Sequence, residues 1–181
     1  QAHGSENRMA TFKKGLENFL LGTKQSGEDA VRYEIPYGDK TIPVIYTRAI
    51  GVDDPAPAVV YLNGLDSNKE LLYWSRLPQE LAKRGISTLC VDQPGTGESL
   101  RLQGMPVEVD SENWGTPVYE WLAARDDVDA DRIGVTGISL GGYYAPRVCA
   151  NEPRFASGAV WGANHNWAEV QQKRIRNEGE N

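Results

Sequence analysis

Three glycines and a serine are spaced in a way that speaks directly of chemistry. Gly137-Ile138-Ser139-Leu140-Gly141, with Gly142 behind it, follows the strand-like run Ile133-Gly134-Val135-Thr136 and leads into a helix-compatible stretch. Gly-x-Ser-x-Gly at a strand-to-helix junction is the pattern of a nucleophile elbow. Such a turn holds the serine in a strained backbone conformation with its hydroxyl projecting. The neighbouring chain passes so close that side chains at positions 137 and 141 would collide. Ser139 is therefore the candidate nucleophile, and the chemistry is attack on a carbonyl carbon. The alternative is an ordinary glycine-rich turn, because the five-residue pattern alone recurs by chance. The strand before it and the helix after it favour the elbow.

A serine placed in this way needs a sheet and a helix to hold it. Ala58-Val59-Val60-Tyr61-Leu62 and Ile86-Ser87-Thr88-Leu89-Cys90-Val91 are mostly continuous apolar runs, as expected of strands buried on both faces of a parallel sheet. Between them a helix is predicted, with Ser67 and Glu70 as a capping box, Leu71, Trp74, Leu77 and Leu81 as its apolar stripe and Gly85 as its stop. A second helix, over about Val118 to Arg125, presents Val118, Trp121 and Leu122 and feeds the strand before the elbow. Leu140 to Ala150 suits a helix closed by Pro153, and Ala156 to Trp161 reads as another buried strand. Upstream, Val31, Tyr33 and Ile35, then Ile42, Val44 and Tyr46, alternate on either side of Gly38-Asp39, an antiparallel pair of edge strands joined by a turn. Met9, Phe12, Leu16 and Phe19 mark an amphipathic N-terminal helix with Gly22 as its stop. The class is α/β. The division expected is a tag remnant and helical segment over 1–30, the α/β core over 31–165, and the start of a lid or linker over 166–181.

Bulk properties narrow the partners. A chain of 181 residues, 40% of them hydrophobic, is long enough for one domain with a real core. The net charge of -6, with basic residues spread rather than striped, argues against nucleic acid or an anionic membrane as the main partner. No apolar run approaches the ~18 residues of a membrane span, and no basic region followed by an apolar stretch opens the chain, so a cytoplasmic location is expected. Cys90 and Cys149 sit in apolar segments and read as free buried thiols. The two histidines, His3 and His165, lie far apart and offer no zinc spacing, so neither metal nor cofactor is expected. Gln1-Ala2-His3-Gly4-Ser5 reads as a tag remnant, which takes His3 out of the chemistry.

The order of these features resembles the α/β-hydrolase family: an antiparallel start, a parallel sheet, Asn63-Gly64-Leu65 after one strand, Asp92-Gln93-Pro94-Gly95-Thr96-Gly97-Glu98-Ser99 after the next, then the elbow. The match runs from about Val31 to Trp161. Gly64-Leu65-Asp66-Ser67-Asn68-Lys69-Glu70 and Trp161-Gly162-Ala163-Asn164-His165-Asn166-Trp167 are similar to a narrower branch that holds dihydropseudooxynicotine hydrolase and the fungal enzymes that shorten polyketide chains. Asn63 stands where a glycine is commoner in those relatives. The resemblance implies an oxyanion hole made by the backbone amides of Leu140 and Leu65, with Gly64 letting the loop approach. A simple strand-ending turn at Asn63-Gly64 is the alternative reading.

The resemblance also implies a triad in the order serine, acid, histidine, with the last two beyond two further strands. Asp126, Asp127, Asp129 and Asp131 precede the elbow strand and read as a solvated turn, and Asp92 as a brace for its own turn. His165 is expected in the substrate pocket; a general base and a surface histidine are the alternatives. Trp161, Trp167 and Trp114 could wall an aromatic pocket or could be packing residues. The acid and histidine are expected from a companion polypeptide or a further C-terminal segment that also covers the last strand, which would otherwise leave an open edge. A homodimer is left open. The expected activity is that of a serine hydrolase acting on a small-molecule ester or, as the branch implies, on a carbon–carbon bond next to a ketone. The competing expectation is a non-catalytic relative that binds a ligand or a partner, and the reactivity of Ser139 discriminates the two.

Overall fold

The computed structural model describes residues 3–53, 55–163 and 166–178. Strands β1 (Ala30–Tyr37) and β2 (Lys40–Thr47) pair antiparallel from Ala30 opposite Thr47 to Tyr37 opposite Lys40, and Gly38 takes the positive φ of 59° that their turn requires. β2 pairs antiparallel with β4 (Ser87–Val91). From there the sheet is parallel: β4 to β3 (Ala56–Leu62), β3 to β5 (Val128–Ile138), and β5 to β6 (Ser157–Trp161). The spatial order β1-β2-β4-β3-β5-β6 puts β3 at the centre, and the elbow follows the strand beside it.

Alternation along these strands builds two cores, because successive side chains leave a strand on opposite faces. Val60, Leu62, Leu89 and Val91 pack on one face with Trp114, Val118 and Leu122 from α5 (Glu112–Ala123) and Tyr144 and Val148 from α6 (Leu140–Asn151). Ile45, Tyr61 and Cys90 pack on the other with Leu72 and Tyr73 from α2 (Lys69–Trp74) and Phe19 from α1 (His3–Ser26). Short helices α3 (Leu77–Ala82) and α4 (Gly97–Arg101) complete the connections, and α7 (Trp167–Glu178) follows β6. Among the described residues no helix is long and apolar enough to cross a membrane.

The structure corrects several sequence expectations. The helix expected from Ser67 to Gly85 is two: Arg76 turns left-handed at φ 68°, and Pro78 sits in the first turn of α3. Its buried face is Leu72 and Tyr73, while Leu71 and Trp74 are exposed, and its cap is Asn68, whose side-chain oxygen accepts the Leu71 amide at 2.9 Å. Lys69 and Glu70 are drawn inward by ion pairs, and that sets the helix's rotation against the stripe the apolar residues suggest. α1 runs through Gly22, and Gly27 at φ 69° ends it instead. One glycine in a helix interior costs only about 1 kcal/mol. Of the antiparallel pair only β1 is an edge strand. β6 is the other edge and is exposed along its length in this chain, the open edge expected of the last strand in the absence of further polypeptide. Cys90 and Cys149 are free thiols; Cys90 is fully buried, and burial pushes its thiol pKa up, while Cys149 is half-buried.

Candidate active site

Ser139 closes β5 and opens α6 with φ 56° and ψ -113°, a conformation that L residues avoid and that costs about 1–3 kcal/mol. Its amide donates to the Trp161 carbonyl at 3.0 Å and its carbonyl accepts the Tyr143 amide at 3.1 Å, so both ends of the strained residue are held. The glycines around it serve close approach. A Cβ on Gly137 would overlap the Gly141 carbonyl, one on Gly141 would overlap the Leu62 carbonyl, and one on Gly142 would stand 3.2 Å from the Trp161 carbonyl oxygen. Leu140 is buried as the first residue of α6, and its amide belongs to the first-turn N–H groups that have no intrahelical acceptor.

Facing the serine is the loop between β3 and α2. A Cβ on Gly64 would lie 3.3 Å from Ser139 Cβ and 3.8 Å from its Oγ, so the missing side chain is what lets this loop face the hydroxyl. The Ser67 amide donates to the Gly64 carbonyl at 3.1 Å, which turns the chain, and Leu65 is half-buried against the core. Gln93 extends the sheet ladder with a side chain: its Oε1 accepts the Asn63 amide at 3.2 Å and its Nε2 donates to the Asn63 carbonyl at 2.7 Å. Asn63 is itself buried and donates through Nδ2 to the Val91 carbonyl at 3.0 Å and to Asp92 Oδ1 at 2.9 Å.

A cavity of about 390 Å³ opens between the two elements, lined by Tyr61, Gly64, Leu65, Leu71, Leu72, Ile138, Ser139 and Trp161, with Asp66, Ser67 and Ser75 as its polar margin. Hollows of about 500 and 520 Å³ flank α1, but neither reaches Ser139. Of the residues expected at the site, Ser139, Leu140, Gly64, Leu65 and Trp161 are brought together. Trp114 is not: it is fully buried, edge-on to Tyr144 with ring centroids 5.2 Å apart, and serves the core. His165 and the Trp167 side chain lie outside the described residues. Asp127 and Asp129 occupy the opposite end of β5, where Asp127 accepts Tyr46 Oη at 3.1 Å and Arg125 Nε at 3.0 Å and Asp129 pairs with Arg132. Among the described residues no group of His, Cys, Asp and Glu could hold a metal ion.

Sequence reasoning missed the charges behind the loop. Lys69 is fully buried, and its ε-ammonium meets Asp92 Oδ2 at 3.1 Å, Glu70 Oε1 at 2.6 Å and the Glu98 carboxylate. Burial opposes the charge on Lys69, yet Asp92, Glu70 and Glu98 together hold its pKa above the ordinary lysine value. Burial also opposes ionisation of Glu98, but Arg32 and Lys69 keep its carboxyl below the usual range, whereas burial carries the Glu70 carboxyl above it. A lysine between asparagine and glutamate at a helix start looks solvated in the sequence. The signal that could have exposed it was the acidic pair of Asp92, just after β4, and Glu98, in the first turn of α4.

Residues 59–177 match the family described as "Alpha/beta hydrolase family". The chain is 35% identical over 157 residues to 2,6-dihydropseudooxynicotine hydrolase of Paenarthrobacter nicotinovorans, an alignment covering 87% of this chain and 41% of that protein. It is 32% identical over 187 residues to hydrolase acrC of Aspergillus aculeatus, covering 94% of this chain and 42% of the relative. The crystal structure of a 2,6-dihydroxy-pseudo-oxynicotine hydrolase superposes with a TM-score of 0.74 at 31% identity, over 83% of this chain and 41% of the other. The chain thus spans about two fifths of the length of these relatives.

Proposed function

We propose, since this chain belongs to the alpha/beta hydrolase family, that it carries the nucleophile and the oxyanion hole of a serine hydrolase. The observation that carries the reading is the left-handed backbone of Ser139, with Gly64 directly across from it. Ser139 Oγ attacks a carbonyl carbon, and the proton it loses passes to a histidine. The oxygen that becomes negative is received by the amides of Leu65 and Leu140, one of them at a helix N-terminus, where the aligned peptide dipoles favour negative charge. Collapse of the tetrahedral intermediate expels the leaving group, which takes up the proton, and water then hydrolyses the acyl-enzyme.

The histidine and its orienting acid come from polypeptide outside this chain, laid beyond β6. The exposed β6 edge and the greater length of the relatives support that placement. The substrate is a small carbonyl compound whose apolar or ring-bearing part enters the cavity beside Trp161. It is an ester or, as the sequence resemblance implies, a ketone cleaved at the adjacent carbon–carbon bond. The test is a fluorophosphonate probe applied to the full-length polypeptide, read by denaturing intact mass and peptide mapping. A stoichiometric adduct on Ser139, absent from Ser139→Ala, together with turnover of aryl esters or diketones, is the expected result. No adduct, or an adduct on another residue, would refute the reading.

A further inference from the structure

Behind the loop that faces Ser139 lies a set of buried charges that acyl transfer itself does not use. Lys69 is enclosed by Asp92, Glu70 and Glu98, and Glu98 also takes a two-pronged guanidinium from Arg32 on β1, with Nε to Oε1 at 3.0 Å and Nη2 to Oε2 at 2.7 Å. A buried ion cluster is weak evidence for stability, because desolvation offsets much of the attraction, so its presence calls for a reason in what it holds.

What it holds is the loop. Asp92 Oδ1 accepts the Asn63 side-chain amide at 2.9 Å and the Lys69 backbone amide at 2.8 Å, the first and last residues of the segment that carries Gly64 and Leu65. Asp92 Oδ2 accepts Lys69 Nζ at 3.1 Å and the Glu98 amide at 2.9 Å. All four acceptor positions of one carboxylate are thus used, and half of them staple the two ends of the loop. The ε-ammonium and the Glu98 amide together occupy Oδ2, which leaves Oδ1 to the two ends of the loop.

We propose that Lys69 is a positioning residue for the oxyanion hole: its ammonium orients Asp92 so that this carboxylate holds the Asn63–Lys69 loop with the Leu65 amide aimed at the carbonyl attacked by Ser139. The proposal rests on the reading of Ser139 as nucleophile and of Leu65 as an oxyanion donor. Lys69 touches no substrate and acts through Asp92 and the loop.

The experiment uses the full-length polypeptide and p-nitrophenyl butyrate, with rates referred to serines titrated to completion by a fluorophosphonate, so that unfolded molecules are not counted. Lys69→Met is expected to lower kcat by about 30- to 100-fold with KM within about threefold, the signature of a lost transition-state interaction. Affinity for phenylboronic acid, whose serine adduct places a hydroxyl in the oxyanion hole, falls by a comparable factor. Asn63→Ala removes one staple from Asp92 while leaving Lys69 and its ion pairs in place; it is expected to lower kcat about tenfold, and it decides the matter if Lys69→Met does not fold. If the folded variants melt earlier yet keep kcat per titrated serine and boronate affinity within about twofold, the cluster only stabilises the fold and the proposal is overturned. Ser139→Ala separates the two levels. Retained turnover there sinks the nucleophile assignment, whereas its loss beside an unimpaired Lys69→Met sinks only the positioning role.

Discussion

The strain at Ser139 can be read out without any knowledge of the substrate, by comparing Ser139→Ala with Ser139→Gly. Both substitutions remove the hydroxyl, which makes no cap hydrogen bond to α6, so they differ only in the Cβ held at φ 56° and ψ -113°. Relief of that conformation is worth about 1–3 kcal/mol. Against it stands the greater freedom of glycine in the unfolded chain, about 0.5–1 kcal/mol. The balance is about 1 kcal/mol in favour of Ser139→Gly. For a domain of this size that difference raises Tm by about 2–4 °C. Differential scanning calorimetry of the two variants, with urea unfolding to confirm equal slopes, measures it. A glycine variant that melts with or below the alanine variant would refute the claim that the elbow stores backbone strain.

Gly141→Ala places a methyl group into the Leu62 carbonyl and within 2.9 Å of the Asn63 carbonyl oxygen, both backbone atoms fixed in the central strand and its exit; a loss of about 3 kcal/mol or more in urea midpoint analysis is expected. Glu152 accepts Arg154 Nε and Nη2, each at 2.7 Å, and this guanidinium holds its pKa at about 2 against an ordinary 4.5. A depressed carboxyl stabilises the fold above its unfolded value, so this contribution is complete above pH 4.5 and is lost as pH falls through about 2. With Arg154 half-exposed the pair is worth about 0.5–1 kcal/mol, and Glu152→Gln is expected to lower stability by that amount at pH 7 and to flatten the acid limb of the stability profile between those two values.

The features legible in the sequence are those written in local spacing. Ser139 announced itself because a strained turn between a strand and a helix needs glycines on both sides of the serine, and those glycines leave a mark five residues long. The strands were legible because burial on a sheet imposes a period of two or a continuous apolar run, and the turn at Gly38-Asp39 joins its pair through one positive-φ glycine. The break at Arg76 had its mark in Pro78, which ends a helix just before it, but the face that α2 buries was not legible, because Leu71, Trp74, Leu77 and Leu81 have helical spacing whether or not that face meets the sheet. Only the pull on Lys69 and Glu70 decides that it does not. Trp114 and Trp161 are chemically the same residue, and their fates, core and cavity wall, follow from the sheet face and strand end at which the topology delivers them.

By itself, then, the sequence determined the alternation of strands and helices, the elbow and the identity of its serine, since each depends on neighbours within a few positions. The tertiary structure alone decided the strand order β1-β2-β4-β3-β5-β6. It also decided that Gly64 stands across from Ser139, and that Lys69 is buried among Asp92, Glu98 and, behind them, Arg32. The energy of a buried charge depends on partners supplied by other strands, and the chain order does not reveal which strands will be neighbours.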